Sequence, residues 1–255
     1  MKIKLLIYLT ITAFCLNLAS CSDMPYTDAA ADTDAQSQQN AILSPSEDFG
    51  EEYIDSFIFV GESTTYHLKS RGVLKGGRDT RQVWATEAGT LNLDLSTPSV
   101  RIIYPPTREK VTIAEAAARE RPKYMIFTFG LNGAVQNIKR GREYYKSCYL
   151  SLINSVREAS PETKIILQSA PPVASNMDMS NYSVELRTLN EYIDTINSWS
   201  LELAAEEELR YLNTAEIMKN ESGELRYELQ AGDGHHLTEG AYLEMLNYIR
   251  THGYK

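Results

Sequence analysis

The stretch Phe57-Ile58-Phe59-Val60-Gly61-Glu62-Ser63 joins four consecutive apolar residues to a glycine and, two residues later, a hydroxyl. A short run that is apolar at every position is typical of a strand buried on both faces of a sheet. The glycine ends this run, and serine is a residue that commonly begins a helix. The stretch therefore predicts a central strand that delivers Ser63 to the edge of a sheet.

Four more short apolar or β-branched runs follow, and helical patterns alternate with them. We predict strands over residues 57–60, 82–86, 124–129, 164–169 and 210–213. We predict helices over residues 65–71, 113–120, 142–159, 183–208 and 238–252. Thr112, three residues before Glu115, forms a capping-box pattern, and Thr238 is a simpler N-cap. This alternation predicts an α/β fold, a three-layer α/β/α sandwich around a five-stranded, mostly parallel sheet.

A second informative stretch, Asp233-Gly234-His235-His236, comes directly before the last predicted helix. In open α/β sheets, ligands bind beyond the carboxyl ends of the strands, and Ser63 and this stretch both follow predicted strands. A serine, a histidine and an acid are what hydroxyl-based nucleophilic catalysis needs. The imidazole takes the proton of the hydroxyl, and the carboxylate orients the imidazole.

Four segments in this order resemble the SGNH (GDSL-type) hydrolase family, from Ser56 to His252. They are Gly61-Glu62-Ser63 for the family's Gly-Asp-Ser block, Gly89 for the glycine of the second block, Gly130-Leu131-Asn132 for the Gly-x-Asn-Asp block, and Asp233-Gly234-His235-His236 for the Asp-x-x-His block. The resemblance implies a flavodoxin-like α/β/α fold.

The resemblance also implies a role for each matched residue. Ser63 would be the nucleophile, His236 the general base and Asp233 the orienting acid. The backbone N–H groups of Ser63 and Gly89 and the side-chain amide of Asn132 would form an oxyanion hole, which acyl transfer needs because negative charge develops on the carbonyl oxygen.

Two positions depart from the family pattern, and one related motif is absent. Glu62 stands where the first block has aspartate, and Gly133 replaces the residue after Asn132. The family spacing selects His236 rather than its neighbour His235 as the base. Thr65 stands where the Gly-x-Ser-x-Gly elbow of α/β-hydrolases would have its second glycine, which argues against that fold.

Several of these residues also have a simpler interpretation. Ser63 could be only an N-cap, and His236 only a loop histidine. Asp233, His235 and His236 could form a metal site, although no further His/Cys cluster supports one, and we expect neither a metal nor a cofactor. His67, one helical turn after Ser63, lies either on the surface or at the mouth of the pocket.

The N-terminus reads as a targeting segment. Lys2 and Lys4 precede the apolar run of residues 5–18, which is too short for a comfortable transmembrane helix. The sequence Leu18-Ala19-Ser20-Cys21 resembles the lipobox of bacterial lipoproteins, in which the cysteine is lipidated; the alternative is an ordinary secretory signal with a chance cysteine. We therefore predict a signal peptide over residues 1–20, a lipid-anchored disordered tether over 21–50 and one hydrolase-like domain over 51–255.

Composition narrows the classes of function. The formal net charge of the 255 residues is −9, which makes nucleic acid an unfavourable partner. Cys15 lies in the predicted signal peptide and Cys21 is the predicted anchor, so only Cys148 remains in the domain. A single thiol cannot form an intrachain disulfide, so no disulfide can stabilise the fold. We expect Cys148 to be a buried, inert thiol and Trp84 to lie in the core, with sugar stacking as the second possibility for Trp84.

Together these features predict a serine esterase of the bacterial cell envelope, anchored to the membrane at Cys21 and facing outside the cytoplasm. The expected substrates are short-chain acyl esters, above all acetyl esters, on carbohydrate or cell-wall glycan. Three rivals remain open. The same triad could serve an acyltransferase or a lipase or thioesterase for longer acyl chains, and the same fold could be a non-catalytic glycan-binding lipoprotein.

Overall fold

A computed structural model describes residues 28–254 of the protein. Its main sheet has five strands, and every neighbouring pair is parallel. The order in the sheet is β2-β1-β5-β6-β7, where the strands are β1 (Phe57–Gly61), β2 (Val83–Trp84), β5 (Tyr124–Thr128), β6 (Lys164–Gln168) and β7 (Arg210–Leu212). The five predicted strands are confirmed, and so is the flavodoxin-like arrangement, in which the chain order of the strands reverses beside β1.

The sheet separates two hydrophobic cores, because successive side chains of a strand point to opposite faces. In β5, Met125 and Phe127 belong to one core, whereas Tyr124 and Ile126 belong to the other. All five residues of β5 are buried, as its continuous apolar run predicts.

Helices cover both faces and complete the three layers. The core with Met125 receives residues from α4 (Ile113–Glu120), α5 (Ala134–Arg140), α6 (Arg142–Ala159) and α7 (Leu186–Glu206), and also Ala41, the last residue of α1 (Asp28–Ala41). Those that contribute to the core with Ile126 are α2 (Glu51–Asp55), α3 (Ser63–Arg71) and α8 (Glu239–Arg250). The predicted caps are confirmed: Thr112 and Glu115 form a reciprocal capping box at α4, and the Thr238 side chain accepts from the Ala241 N–H at α8.

Some elements differ from the expectation. The strands β3 (Arg101–Ile103) and β4 (Lys110–Thr112) form a separate antiparallel pair that we did not predict, and α5 was also missed. Each strand of the pair has only three residues, too few to show a period of two. Cys148 and Trp84 are both about 1% exposed, so their predicted place in the core is confirmed.

The prediction of a disordered tether over residues 21–50 is wrong for its later part. Residues Asp28–Ala41 form helix α1, which packs against α7, and Ala41 and Leu43 are buried. The Leu43 N–H donates to the Tyr211 carbonyl at 2.9 Å, which extends the edge of the sheet at β7. The segment lacks an apolar period, but its alanines and glutamines favour a helix, and α7 provides the surface that holds it.

The predicted signal peptide and the lipidation site Cys21 lie outside the described residues. Within residues 28–254, no helix combines the length and the apolar character needed to cross a membrane.

Candidate active site

Ser63 lies at the junction between β1 and α3, where the chain leaves the sheet. Gly61 ends the strand, and a Cβ atom at this position would lie 2.3 Å from the Thr128 carbonyl oxygen of β5, so only glycine fits. Ser63 is the first residue of α3. The first N–H groups of a helix have no acceptor within the helix and carry its positive dipole end. The backbone around Ser63 therefore favours negative charge beside its hydroxyl.

The loop before α8 brings the acid and the histidine into register. Asp233 Oδ1 accepts hydrogen bonds from the N–H groups of His235 at 3.1 Å and His236 at 2.9 Å. Gly234 has φ +83°, and a Cβ atom there would lie 2.5 Å from the Met177 backbone. The spacing Asp-Gly-His-His thus folds into a turn that only glycine permits and that points the His236 ring back towards its own acid.

Ser63, His236 and Asp233 form a continuous hydrogen-bonded line. His236 Nε2 lies 2.9 Å from Ser63 Oγ, and His236 Nδ1 lies 2.7 Å from Asp233 Oδ2. Burial acts to raise the pKa of Asp233, but the hydrogen bonds from the His236 backbone and ring and from the His235 N–H outweigh it and hold the pKa well below its usual range. Asp233 is therefore ionised and can stabilise an imidazolium. This line is the arrangement that activates a serine for attack on a carbonyl carbon.

His235 does not occupy the position of the base. Its Nδ1 lies 3.3 Å from the Asp233 carbonyl oxygen, whereas His236 reaches Ser63. Burial, followed by the charge of His236, lowers the pKa of His235. Asp233, His235 and His236 are the one group of potential metal ligands among the described residues. Since Asp233 Oδ2 and His236 Nδ1 already bond to each other, two of the three donor atoms serve the triad.

Asn132 lies in the loop after β5, beside the loop after β1. Its side-chain Nδ2 donates to Thr90 Oγ1 and to Asn92 Oδ1, both at 3.1 Å. Both hydrogens of the amide therefore have protein acceptors. Asn92 is exposed, so a substrate oxygen could replace its carbonyl as the acceptor without burying an unpaired group. The sequence did not indicate that Thr90 and Asn92 fix the amide.

Gly89 does not stand ready to donate to an oxyanion. Its N–H donates to the Thr86 carbonyl at 3.0 Å, which closes a turn in which Gly89 has φ +73°. A Cβ atom at Gly89 would lie 2.9 Å from the Tyr66 ring. The geometry explains the glycine by turn conformation and packing, and it speaks against the assignment of this N–H to the oxyanion hole. The segment that follows, from Thr90 to Asn92, instead contacts the Asn132 amide.

Glu62, the residue before Ser63, has a role that its place in the motif did not reveal. It is only 3% exposed. Its Oε1 accepts from the N–H groups of Gly130 and Asn132, both at 3.0 Å, and its Oε2 accepts from the Leu131 N–H at 3.1 Å. Burial raises the pKa of Glu62 to about 7, against the three N–H groups, which lower it. One carboxylate thus ties the loop of Asn132 to the residue next to the nucleophile.

His67 is half-buried and lies inside the site, not on the open surface. Its ring stacks on the His236 ring, with centroids 4.1 Å apart and planes 25° apart. The sequence predicts His67 at the pocket mouth or on the surface, and no local pattern indicates its contact with the base.

Comparisons with known proteins agree with this geometry. A family model described as the GDSL-like lipase/acylhydrolase family matches residues 59–243. No curated protein sequence matches the chain. Among solved structures, the protein of Bacteroides fragilis named as an acylhydrolase is similar at a TM-score of 0.52 and 16% identity, with 89% of this chain and 95% of that chain covered.

Two further structures give lower scores. A GDSL-like lipase from Bacteroides thetaiotaomicron has a TM-score of 0.47 and 14% identity and covers 84% of this chain and 92% of its own. The periplasmic domain of a lipopolysaccharide acetyltransferase from Salmonella Paratyphi A has a TM-score of 0.47 and 16% identity, with 88% and 96% covered. At these identities the likeness concerns the fold.

Proposed function

The chain belongs to the GDSL-like lipase/acylhydrolase family and is a serine hydrolase that acts on ester bonds, and we propose that its substrates are short acyl esters, above all acetyl esters, on carbohydrate or cell-wall glycan. The observation that carries the proposal is the hydrogen-bonded line from Ser63 through His236 to Asp233. The substrate class is supported by the space around this line.

The proposed reaction has two acyl transfers. Ser63 Oγ attacks the ester carbonyl carbon while His236 Nε2 takes its proton, and the carbonyl oxygen becomes an oxyanion. When the C–O bond to the alcohol breaks, His236 returns the proton to the leaving oxygen, and the acyl group stays on Ser63. Water, deprotonated by His236, then attacks the acyl-enzyme, and Ser63 leaves with the proton as the acid is released. Asp233 keeps its negative charge throughout.

A cleft of about 600 Å³ supports a carbohydrate as the alcohol part of the ester. It opens beside the exposed end of the triad, and polar side chains form much of its lining: Asn176, Asp178, Asn181, Tyr182, Asp233 and His235. Amides and carboxylates suit the hydroxyl groups of a sugar, and a tyrosine offers both a ring face and a hydroxyl.

The cavity on the other side of α3 is too small to hold a long acyl chain, and no residue of the triad lines it. A cavity of about 20 Å³ lies between α3, α8 and the sheet, and Thr64, the neighbour of Ser63, lines it together with Phe59 and Leu68. That volume holds about one water molecule. It offers no tunnel for the acyl chain of a lipase or thioesterase substrate.

The same cleft keeps one alternative open. An acyltransferase would bind a sugar hydroxyl where the hydrolase admits water, and the lining of the cleft suits an acceptor sugar as well as a leaving one. Product analysis separates the two. With an acetylated donor and a free oligosaccharide, a hydrolase releases acetate, whereas a transferase forms newly acetylated oligosaccharide.

The decisive experiment combines a substrate panel with one variant and its matched control. Wild type is assayed on p-nitrophenyl esters from acetyl to long chain, on acetylated xylan and on O-acetylated peptidoglycan. We expect kcat/KM to be highest for acetyl among the p-nitrophenyl esters.

Tyr182→Ala should lower kcat/KM on the acetylated polymer about tenfold more than on p-nitrophenyl acetate, since stacking contacts are worth roughly 1 kcal/mol or more. Tyr227→Ala, at a tyrosine 62% exposed and outside the cleft, is the matched control. Faster hydrolysis of long-chain esters would contradict the proposed substrate class.

We also propose that the enzyme is a lipoprotein of the bacterial cell envelope, held at Cys21. The support is the sequence Leu18-Ala19-Ser20-Cys21 after a basic and then apolar segment. Cys21→Ser should move the protein from the membrane fraction to the soluble fraction or stall its processing. A variant that is processed and sediments with membranes as wild type does would exclude this anchor.

A further inference from the structure

His67 lies on the same helix as the nucleophile and against the ring of the base. α3 begins at Ser63, and His67 is four residues further on, so both side chains lie on one face of the helix. The His67 and His236 rings stack with centroids 4.1 Å apart and planes 25° apart. One helix thus carries both the hydroxyl that bonds to His236 Nε2 and a flat ring that covers the imidazole.

The hydrogen bonds of His236 leave one motion of its ring open. Asp233 bonds to Nδ1 at 2.7 Å and Ser63 bonds to Nε2 at 2.9 Å, and both bonds lie near the plane of the ring. Together they define an axis through the imidazole but do not prevent the ring from tilting about that axis. A ring stacked on the imidazole does prevent this tilt, because its flat face resists rotation of the imidazole about that axis. His67 supplies one, whereas the His235 ring, with its centroid 4.0 Å from that of His236, is inclined by 43° and does not stack on it.

The Nδ1 atom of His67 does not account for the position of the ring. Among the residues that the structure describes, its buried Nδ1 has no hydrogen-bond partner. A buried polar atom without a partner is unfavourable, so the histidine does not stand here as an ordinary structural hydrogen-bonding residue. The contact that His67 makes with the site is the stacking of its ring face on the His236 ring.

The charge of His67 is compatible with this contact. Burial, followed by the charges of His236 and Arg71, lowers the pKa of His67 to about 4; His235 acts in the same direction and Asp233 opposes. His67 is therefore neutral near pH 7. When His236 becomes a cation during acyl transfer, its neighbour is an uncharged aromatic face, which attracts a cation instead of repelling it.

We propose that His67 is a positioning residue, whose ring holds the His236 imidazole in the orientation that takes the proton from Ser63 and returns it to the leaving alcohol. This role rests on the proposed esterase function. Because His67 touches the base and not the reacting atoms, its removal should affect the chemical step and not substrate binding.

Three variants and one control test the role. His67→Ala removes the ring, His67→Phe keeps a flat ring without nitrogens, and His67→Lys puts a cation beside the base. The control is His252→Ala, because His252 also stacks on a ring, that of Tyr248 at 3.7 Å, but outside the site. kcat and KM are measured with p-nitrophenyl acetate, and thermal unfolding checks the fold of each variant.

We expect His67→Ala to lower kcat roughly ten- to a hundredfold, the usual cost of a misplaced catalytic group, with KM within about twofold. His67→Phe should restore kcat to within about threefold of wild type. His67→Lys should be as poor as His67→Ala or poorer, and His252→Ala should match wild type. A rise in KM with unchanged kcat would show substrate binding instead, and an equal loss in His67→Ala and His67→Phe would show that a nitrogen matters. Wild-type activity in His67→Ala would remove the role altogether.

A second readout separates this proposal from the proposed function. A fluorophosphonate probe reacts with an activated serine whatever the natural substrate is, so its rate of labelling at Ser63 reports the His236–Ser63 pair directly. Labelled wild type without ester turnover would refute the esterase function, while the relative labelling rates of His67→Ala and His67→Phe would still decide the positioning role. Wild type that is not labelled at Ser63 would refute both.

Discussion

Glu62 and Asp233 are the two carboxylates that flank the reactive groups, one before Ser63 and the other against His236. Both accept backbone N–H groups of a loop: Glu62 accepts three, from Gly130 to Asn132, and Asp233 accepts two. Their pKa values nevertheless move in opposite directions, up to about 7 for Glu62 and below the usual range for Asp233. At Glu62, which is 3% exposed, burial outweighs the three backbone hydrogen bonds, whereas at Asp233, which lies at the surface and also bonds to the His236 ring, the hydrogen bonds outweigh burial.

This difference separates two tasks that catalysis needs. A carboxylate that must stabilise an imidazolium has to remain ionised, and the exposed position of Asp233 and its bond to the His236 ring ensure that. A carboxylate that only holds a loop can be buried, where hydrogen bonds are stronger because the dielectric constant is low. Glu62 belongs to the scaffold of the site, and Asp233 belongs to its chemistry.

The largest effects should come from the reacting pair next to Asp233. Ser63→Ala and His236→Ala should each lower kcat for p-nitrophenyl acetate by roughly 10³–10⁶-fold, and the double variant should lose little more, because the residues act as a unit. Steady-state kinetics on folded protein measure this. If His235→Ala proves as damaging as His236→Ala, the assignment of the base within the loop is wrong.

Alanine at each carboxylate should give opposite signatures. Asp233→Ala should lower kcat roughly 10²–10⁴-fold with a small change in stability, since water can replace it as an acceptor. Glu62→Ala should lower the free energy of unfolding by about 3 kcal/mol or more, because three buried N–H groups lose their acceptor. Its kcat should fall only about tenfold. Urea denaturation and kinetics on both variants compare the two, and a stability loss as large in Asp233→Ala would remove the distinction.

The different tasks of Glu62 and Asp233 could be predicted only in part from the sequence. Ser63, Asp233 and His236 could be found because their spacing and their places after strands express the chemistry directly. The strands could be found because a strand buried on both faces must be apolar at nearly every position, as Tyr124–Thr128 is. Local patterns also fixed the start of α4, since Thr112 and Glu115 act within one turn.

What the sequence did not reveal depends on contacts between distant segments. Glu62 bonds to backbone N–H groups about seventy residues away, and no side-chain type there marks the contact. His67 meets His236 only because α3 and the loop before α8 converge. The Gly89 N–H was assigned by motif alone, whereas its hydrogen bond to Thr86 is a property of the folded turn. These contacts depend on tertiary packing, which the local patterns of a single sequence do not predict.

Glu62 holds the backbone of Asn132, and the Asn132 side-chain amide is the predicted oxyanion donor. Asn132→Ala should lower kcat about 10²–10³-fold, the usual effect of losing one oxyanion donor, with a smaller effect on KM. Asn132→Asp should be at least as poor, because a carboxylate repels the oxyanion. Thr90→Val tests the fixation of the amide, since Thr90 Oγ1 accepts from it, and should lose less. An Asn132→Ala enzyme within about twofold of wild type would show that the hole is built elsewhere.

The smallest effect should be a dependence of stability on pH that distinguishes the two carboxylates. The pKa of Glu62 is raised from 4.5 to about 7 in the folded protein, so between these values the folded state binds more protons than the unfolded state. Its contribution to stability is fully present below about pH 4.5 and is lost as the pH rises through about 7. For Asp233 the pKa is lowered from 3.8, so its contribution is present above that value and is lost as the pH falls below it.

Urea denaturation from pH 4.5 to 8 should therefore show the unfolding free energy of wild type falling relative to Glu62→Gln as the pH rises, by on the order of 2–3 kcal/mol. Relative to Asp233→Asn it should stay flat over the same range. A flat difference for Glu62→Gln would mean that the three N–H groups, and not burial, set the protonation of Glu62, and the contrast between the two carboxylates would then rest on their hydrogen-bond partners alone.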